Sequence, residues 1–139
     1  MEPRPVDIAS LVDQCWKIVP TNVATHTVQT TQLIQADETR LQQLLENLFR
    51  NAVEHGVDSV AVTVDDLDDG FYIEDDGPGI PEADRETVFK VGYSTNTEGT
   101  GLGLSIVDGI VEAHGWNVRV TEGTDGGAQF EITGVERVE

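Results

Sequence analysis

Residues 99–107 read GTGLGLSIV, with three glycines at alternate positions immediately ahead of a helical pattern. Gly101 and Gly103 would each cost about 1 kcal/mol relative to alanine inside a helix. Something other than helix propensity therefore accounts for them. Glycines leave the backbone open to a polyanion, and the unpaired N–H groups and positive dipole end of the following helix would meet it there. Phosphate is the obvious guest, and a flexible loop end with no ligand is the alternative.

Working outward, GLGLSIVDGIVEAHG reads as a helix closed by Gly115, and WNVRVTEG with GGAQFEITGV as a final strand pair. Upstream, residues 77–100 are polar and turn-rich, with a short helix around Glu82 to Phe89. A loop this long inside a compact domain is usually a lid or a binding loop. Before it, SVAVTVDDL and GFYIEDD read as a hairpin turning at Asp68 and Asp69. Asp37 precedes a long helix, ETRLQQLLENLFRNAVEHG, which Gly56 ends, and THTVQTTQLIQA alternates as one or two short strands. At the start, Asp7 caps a helix in which Ile8, Leu11, Val12, Cys15 and Val19 recur at helical spacing until Pro20. The order predicts an α+β, two-layer α/β sandwich: a mixed, mostly antiparallel sheet covered on one face by three helices. We expect one domain over residues 1–139.

Two further stretches carry chemistry. On the second helix Leu41, Leu44, Leu45, Leu48 and Ala52 form an apolar stripe, while Asn47, Asn51 and His55 follow at four-residue steps on another face. Stacked carboxamides can offer oxygen to a hard cation such as Mg²⁺, and a solvated polar face is the plainer reading. In IEDDGPGIP, residues 73–81, a strand ends in two carboxylates and runs into Gly77, Pro78 and Gly79. This is either an ordinary Asp-Gly turn or a carboxylate held where it can accept the exocyclic amine of an adenine.

The chain has 139 residues, 38% of them hydrophobic, and 26 acids against 8 bases give a net charge of −18. No apolar run approaches the roughly 20 residues of a membrane helix, and the N-terminus does not read as a signal peptide. We therefore expect a soluble, cytoplasmic piece without direct membrane contact. With no basic patch to neutralise phosphates, nucleic acid is excluded as a partner. The acids are spread along periodic segments, and Lys17 and Lys90 are the only lysines. That bias resembles proteins of salt-accumulating organisms, and an acidic interaction surface is the alternative. The lone Cys15 sits at a core spacing and reads as a buried thiol.

Taken in order, an Asn-bearing helix, DDGPGIP, a long lid and GTGLGLS resemble the catalytic and ATP-binding domain of histidine kinases. That family lies within the Bergerat-fold ATPase superfamily that includes gyrase and Hsp90. ENLFRNAVEH is similar to its N box, DDGPGI to its G1 box, Val88-Phe89 to a departed F box and GTGLGLS to its G2 box. The resemblance runs from about Pro5 to Val135 and, with the acidic bias, suggests a haloarchaeal sensor kinase. It implies ATP and Mg²⁺ as cofactors, Asn51 as the metal ligand, Asp75 holding the adenine, and Gly99, Gly101 and Gly103 bordering the triphosphate. The nucleotide contacts it implies also include Asn47, His55, Gly77, Gly79, Ile80, Ser94, Thr95, Thr100, Leu102 and Leu104, with a lid over about 77–100.

Relatives that hydrolyse ATP or phosphorylate serine place a glutamate four residues before the metal asparagine. Here that catalytic position is Asn47, and Glu46 lies about 100° around the helix from it. The lysine the family often carries after the asparagine is replaced by Glu54 and its lid arginine by about Ser94, so that phosphate contacts are either weaker or fall to Lys90, Ser94 and Thr95. None of His26, His55 and His114 sits as a phosphoacceptor would; His114 lies in a last helical turn, where its charge would suit the dipole. The resemblance therefore implies a protein histidine kinase catalytic domain that passes the γ-phosphate to a histidine on a separate dimerisation hairpin, with a response regulator as indirect partner. Alone, it should lack autophosphorylation. A regulatory nucleotide-binding module, or a serine-kinase, anti-sigma-like member of the superfamily, is the alternative.

Overall fold

The first two helices start at aspartates. In the computed structural model, which describes residues 2–18, 25–30, 32–55, 61–77, 83, 103–123 and 126–138, β1 (Arg4–Asp7) runs directly into α1 (Ile8–Ile18). Asp7 Oδ1 accepts from the amides of Ala9 at 3.1 Å and Ser10 at 3.5 Å, pairing N–H groups that a helix start leaves open. Asp37 does the same for α2 (Glu38–His55), accepting from the Arg40 amide at 3.1 Å. At the other end of α3 (Gly103–His114), Gly115 takes a φ of 74°. The Gly115 amide donates to Glu112 and the Trp116 amide to Val111, the glycine-terminated cap that the sequence signals.

The stretch 25–36 splits into β2 (Thr25–Val28) and β3 (Leu33–Ala36), which belong to different sheets. β4 (Ala61–Leu67) and β5 (Gly70–Asp75) form the expected hairpin, closing at Leu67↔Gly70. β6 (Asn117–Glu122) and β7 (Ala128–Thr133) form the final pair. The main sheet has the order β2-β4-β5-β7-β6, parallel between β2 and β4 and antiparallel elsewhere. β1 and β3 form a second, two-stranded sheet. The C-terminal segment adds to it, through bonds from the Gln35 amide to Glu136 and from the Val138 amide to Leu33.

Alternation along the strands puts Val62, Val64, Phe71, Ile73, Phe130 and Ile132 on the helical side, all buried. Leu41, Leu44, Leu45, Leu48, Phe49 and Ala52 of α2 belong to the same core cluster, and α2 packs on both α1 and α3. Three helices thus cover one face of a mixed, mostly antiparallel sheet. Cys15 is buried as its spacing predicts, its thiol pushed up to about 12 by burial and then by the charge of Glu46. Among the described residues no helix is long and apolar enough to cross a membrane.

His114 lies in the last turn of α3, as its sequence reading places it. Its Nε2 accepts from the Asp37 amide at 3.1 Å, its Nδ1 lies 2.8 Å from the Ile110 carbonyl, and the ring stacks on Trp116 at 4.1 Å. The bond to the Asp37 amide ties the end of α3 to the start of α2.

Candidate nucleotide site

The His114–Asp37 bond sets the end of α3 beside the start of α2, so the two helices run antiparallel. Stepping back along α3 from His114 to Gly103 covers about 16 Å of rise at about 1.5 Å per residue. The same rise along α2 from Asp37 reaches residue 48, so the start of α3 lies level with the turns that carry Asn47 and Asn51. The sheet delivers a third element to this end. β5 finishes where β4 begins, with the Asp76 amide donating to the Ala61 carbonyl at 3.2 Å and the Ala61 amide to Asp76 Oδ1 at 2.7 Å. β4 itself begins a few residues after α2 ends. Asn51, Asp75 and Gly103 thus share one end of the fold.

Asp75 is 9% exposed. Its Oδ1 accepts from the Gly77 amide at 2.9 Å and the Ala128 amide at 3.3 Å, and among the described residues Oδ2 accepts no hydrogen bond. Burial raises its pKa above the ordinary carboxylate value, the two amide bonds oppose that shift, and Asp76 and Glu74 add to it. A buried carboxylate with one oxygen fixed and the other without a partner can accept a hydrogen bond from outside the protein.

Asn47 and Asn51 are both half-buried on α2. Asn47 Nδ2 donates to the Gln43 carbonyl at 2.7 Å, turning that nitrogen back onto the helix. The Asn51 carboxamide makes no hydrogen bond among the described residues, which leaves its oxygen available to a hard cation. Glu46 faces elsewhere: it accepts from Gln42 at 3.4 Å, and its charge acts on the Cys15 thiol of α1. It therefore does not share the face of Asn47.

Gly103 opens α3, while the Leu104 side chain packs against the core. The His55 side chain, Gly79, Ile80, Ser94, Thr95, Gly99, Thr100, Gly101, Leu102, Lys90 and most of the expected lid, with its short helix, lie outside the described residues. Sequence reading missed Ala128 and Gly127 as neighbours of Asp75. The Gly-Gly pair ahead of the last strand was the available signal, but only the β5–β7 register brings it to Asp75.

The helix pair, the carboxylate at the strand end and the glycine-led helix define a class. Residues 36–136 match the family of histidine kinase-, DNA gyrase B- and HSP90-like ATPases, and the chain belongs to that family. Among individual relatives it is 34% identical over 138 residues to the sensor histidine kinase ZraS of Escherichia coli O157:H7, covering 91% of this chain and 30% of ZraS. It superposes on the mycobacterial sensor histidine kinase MprB with a TM-score of 0.81 at 28% identity, covering 97% of each chain. ShkA, solved full-length in complex with AMPPNP, gives a TM-score of 0.78 at 30% identity over 99% of this chain and 32% of that one. The chain thus spans about 30% of the length of the curated sensor kinases it matches.

Proposed function

We propose that this chain binds Mg-ATP and passes the γ-phosphate to a histidine presented by a separate helical hairpin, as the catalytic domain of a two-component sensor kinase. The observation that carries this reading is the Asp75 carboxylate, buried, half-satisfied and set at the end of the fold where α3 starts. Its Oδ2, which accepts no hydrogen bond among the described residues, suits the 6-amino group of adenine. That ShkA, a structural neighbour, was solved in complex with AMPPNP supports a nucleotide ligand. The N-terminus of α3, preceded by Gly99 and Gly101, suits the phosphates. Asn51 fits Mg²⁺ because its carboxamide is a hard, neutral oxygen donor without a competing hydrogen bond among the described residues. Bound there, the ion would neutralise phosphate charge.

Asn47 stands where a hydrolysing relative carries a base, and Glu46 is engaged by Gln42. Water is then poorly activated, whereas an imidazole nucleophile needs little help. Because ATP and response regulators are cytoplasmic, the domain works on that side of any membrane its parent meets. The test mixes this chain, Mg-ATP and a matching acceptor hairpin. Phosphohistidine should form on the hairpin and none on this chain alone. Tight ATP binding without any transfer would reduce the chain to a nucleotide-binding regulatory module.

A further inference from the structure

The ladder between β5 and β7 runs to Glu74↔Gln129, which sets Asp75 opposite Ala128 at the next step. There the Asp75 side chain, through Oδ1, takes the Ala128 amide. The Gly77 amide, two residues along the chain, converges on the same oxygen. Gly127 makes the approach possible. A Cβ placed on it would lie 2.0 Å from the Asp75 carbonyl oxygen and 2.6 Å from Oδ1. Unlike its neighbour Gly126, at a φ of 87°, Gly127 is not in the left-handed region, so space and not conformation requires glycine there.

We infer that the Gly77 and Ala128 amides hold the Asp75 carboxyl group in one orientation, so that the atom at the Oδ2 position alone selects a 6-amino over a 6-oxo purine, and Asp75→Asn inverts that choice. This rests on the nucleotide reading above. Two amide N–H groups can face an oxygen but not an NH₂ group. In Asp75→Asn the carboxamide oxygen must therefore take the inner place, and the NH₂ group takes the reading place. A donor there rejects the amine of adenine and suits the carbonyl of hypoxanthine. Gly127 and Ala128 are positioning residues of the β6–β7 turn, and they act on the base only through Asp75.

Titration calorimetry of Mg-ATP and Mg-inosine triphosphate against the parent chain, Asp75→Asn, and Asp75→Asn with Gly127→Ala tests this. The parent should bind ATP at least about tenfold more tightly than inosine triphosphate, the difference expected of a hydrogen bond to a charged group. Asp75→Asn should reverse the order. Adding Gly127→Ala, which forces the turn away from Asp75, should bring the ratio back toward one, and a ratio it leaves unchanged overturns the part given to the turn. A parent that does not discriminate would remove Asp75 from the base site altogether. If the parent discriminates and Asp75→Asn loses ATP without coming to prefer inosine triphosphate, the fixed orientation is wrong while the nucleotide reading stands. One measurement needs no variant: the amide proton shifts of Gly77 and Ala128 should follow a single carboxyl titration in the parent. An Ala128 amide that ignores the ionisation of Asp75 overturns the inference.

Discussion

Asp75 sets function against stability at a single residue. Its folded-state pKa lies above the ordinary 3.8, chiefly through burial. Such a group favours the fold below its unfolded pKa, and that contribution is lost as pH rises through the folded value. At neutral pH the ionised carboxylate therefore weakens the ligand-free fold. Asp75→Asn keeps an oxygen for the two amides and removes the charge, so in molar KCl it should melt above the parent at about pH 7, with the gap closing toward about pH 3. Thermal melts across that range check it, and a variant less stable throughout would mean that the charged amide bonds outweigh burial. Asn51 makes the opposite kind of prediction. It is half-buried without a described partner, so Asn51→Ala should change the denaturant midpoint little, within about 0.5 kcal/mol as for an unpaired surface group. Mg²⁺-dependent transfer to a supplied hairpin should be lost. Retained transfer would move the metal ligand elsewhere.

At the scale of elements, two glycines give opposite expectations for one substitution. Gly70 opens β5 opposite Thr133 of β7, and a Cβ there would lie 1.8 Å from the Ile132 carbonyl oxygen. Gly70→Ala should separate the central strands and lower stability by about 3 kcal/mol, the upper end for overpacking. Gly109, exposed in the middle of α3, has nothing within 4 Å of such a Cβ. Gly109→Ala should raise stability by about 0.5 to 1 kcal/mol through helix propensity alone. Urea midpoints of both variants check the pair, and equal shifts would mean the β5–β7 spacing is wrong. The same contrast explains what could be read in advance. The Leu stripe and Asn face of α2 follow from a period of 3.6, and the hairpin at Asp68-Asp69 from a local turn, so both were legible. β1 was not: its four residues, RPVD, are mostly exposed, carry a proline, and pair with β3, which is distant in sequence. Asp75 could be singled out as a strand-end carboxylate, but its hold by Ala128 depends on a pairing 53 residues away.

At the scale of the whole molecule, the charge of −18 dominates. Among the described residues the acids find cationic partners in Arg40–Asp37, Arg119–Glu131 and, when His26 is protonated, His26–Asp13. These are mostly exposed pairs, each worth at most about 1 kcal/mol. They leave most of the repulsion uncompensated in dilute buffer. ATP is itself anionic, so the same field opposes its approach, and the dipole of α3 acts only at short range. Raising KCl from about 0.1 M to about 1 M shortens the screening length from about 10 Å to about 3 Å. Both melting temperature and ATP association rate should therefore climb with KCl. A site governed by local positive charge would slow instead, because salt would screen an attraction. Melting curves and stopped-flow ATP binding over the same KCl series separate the two. A flat or falling melting temperature would show that the acids are accommodated without salt, and slower association would show that the field around Lys90 and the Gly99–Gly103 segment outweighs the net charge.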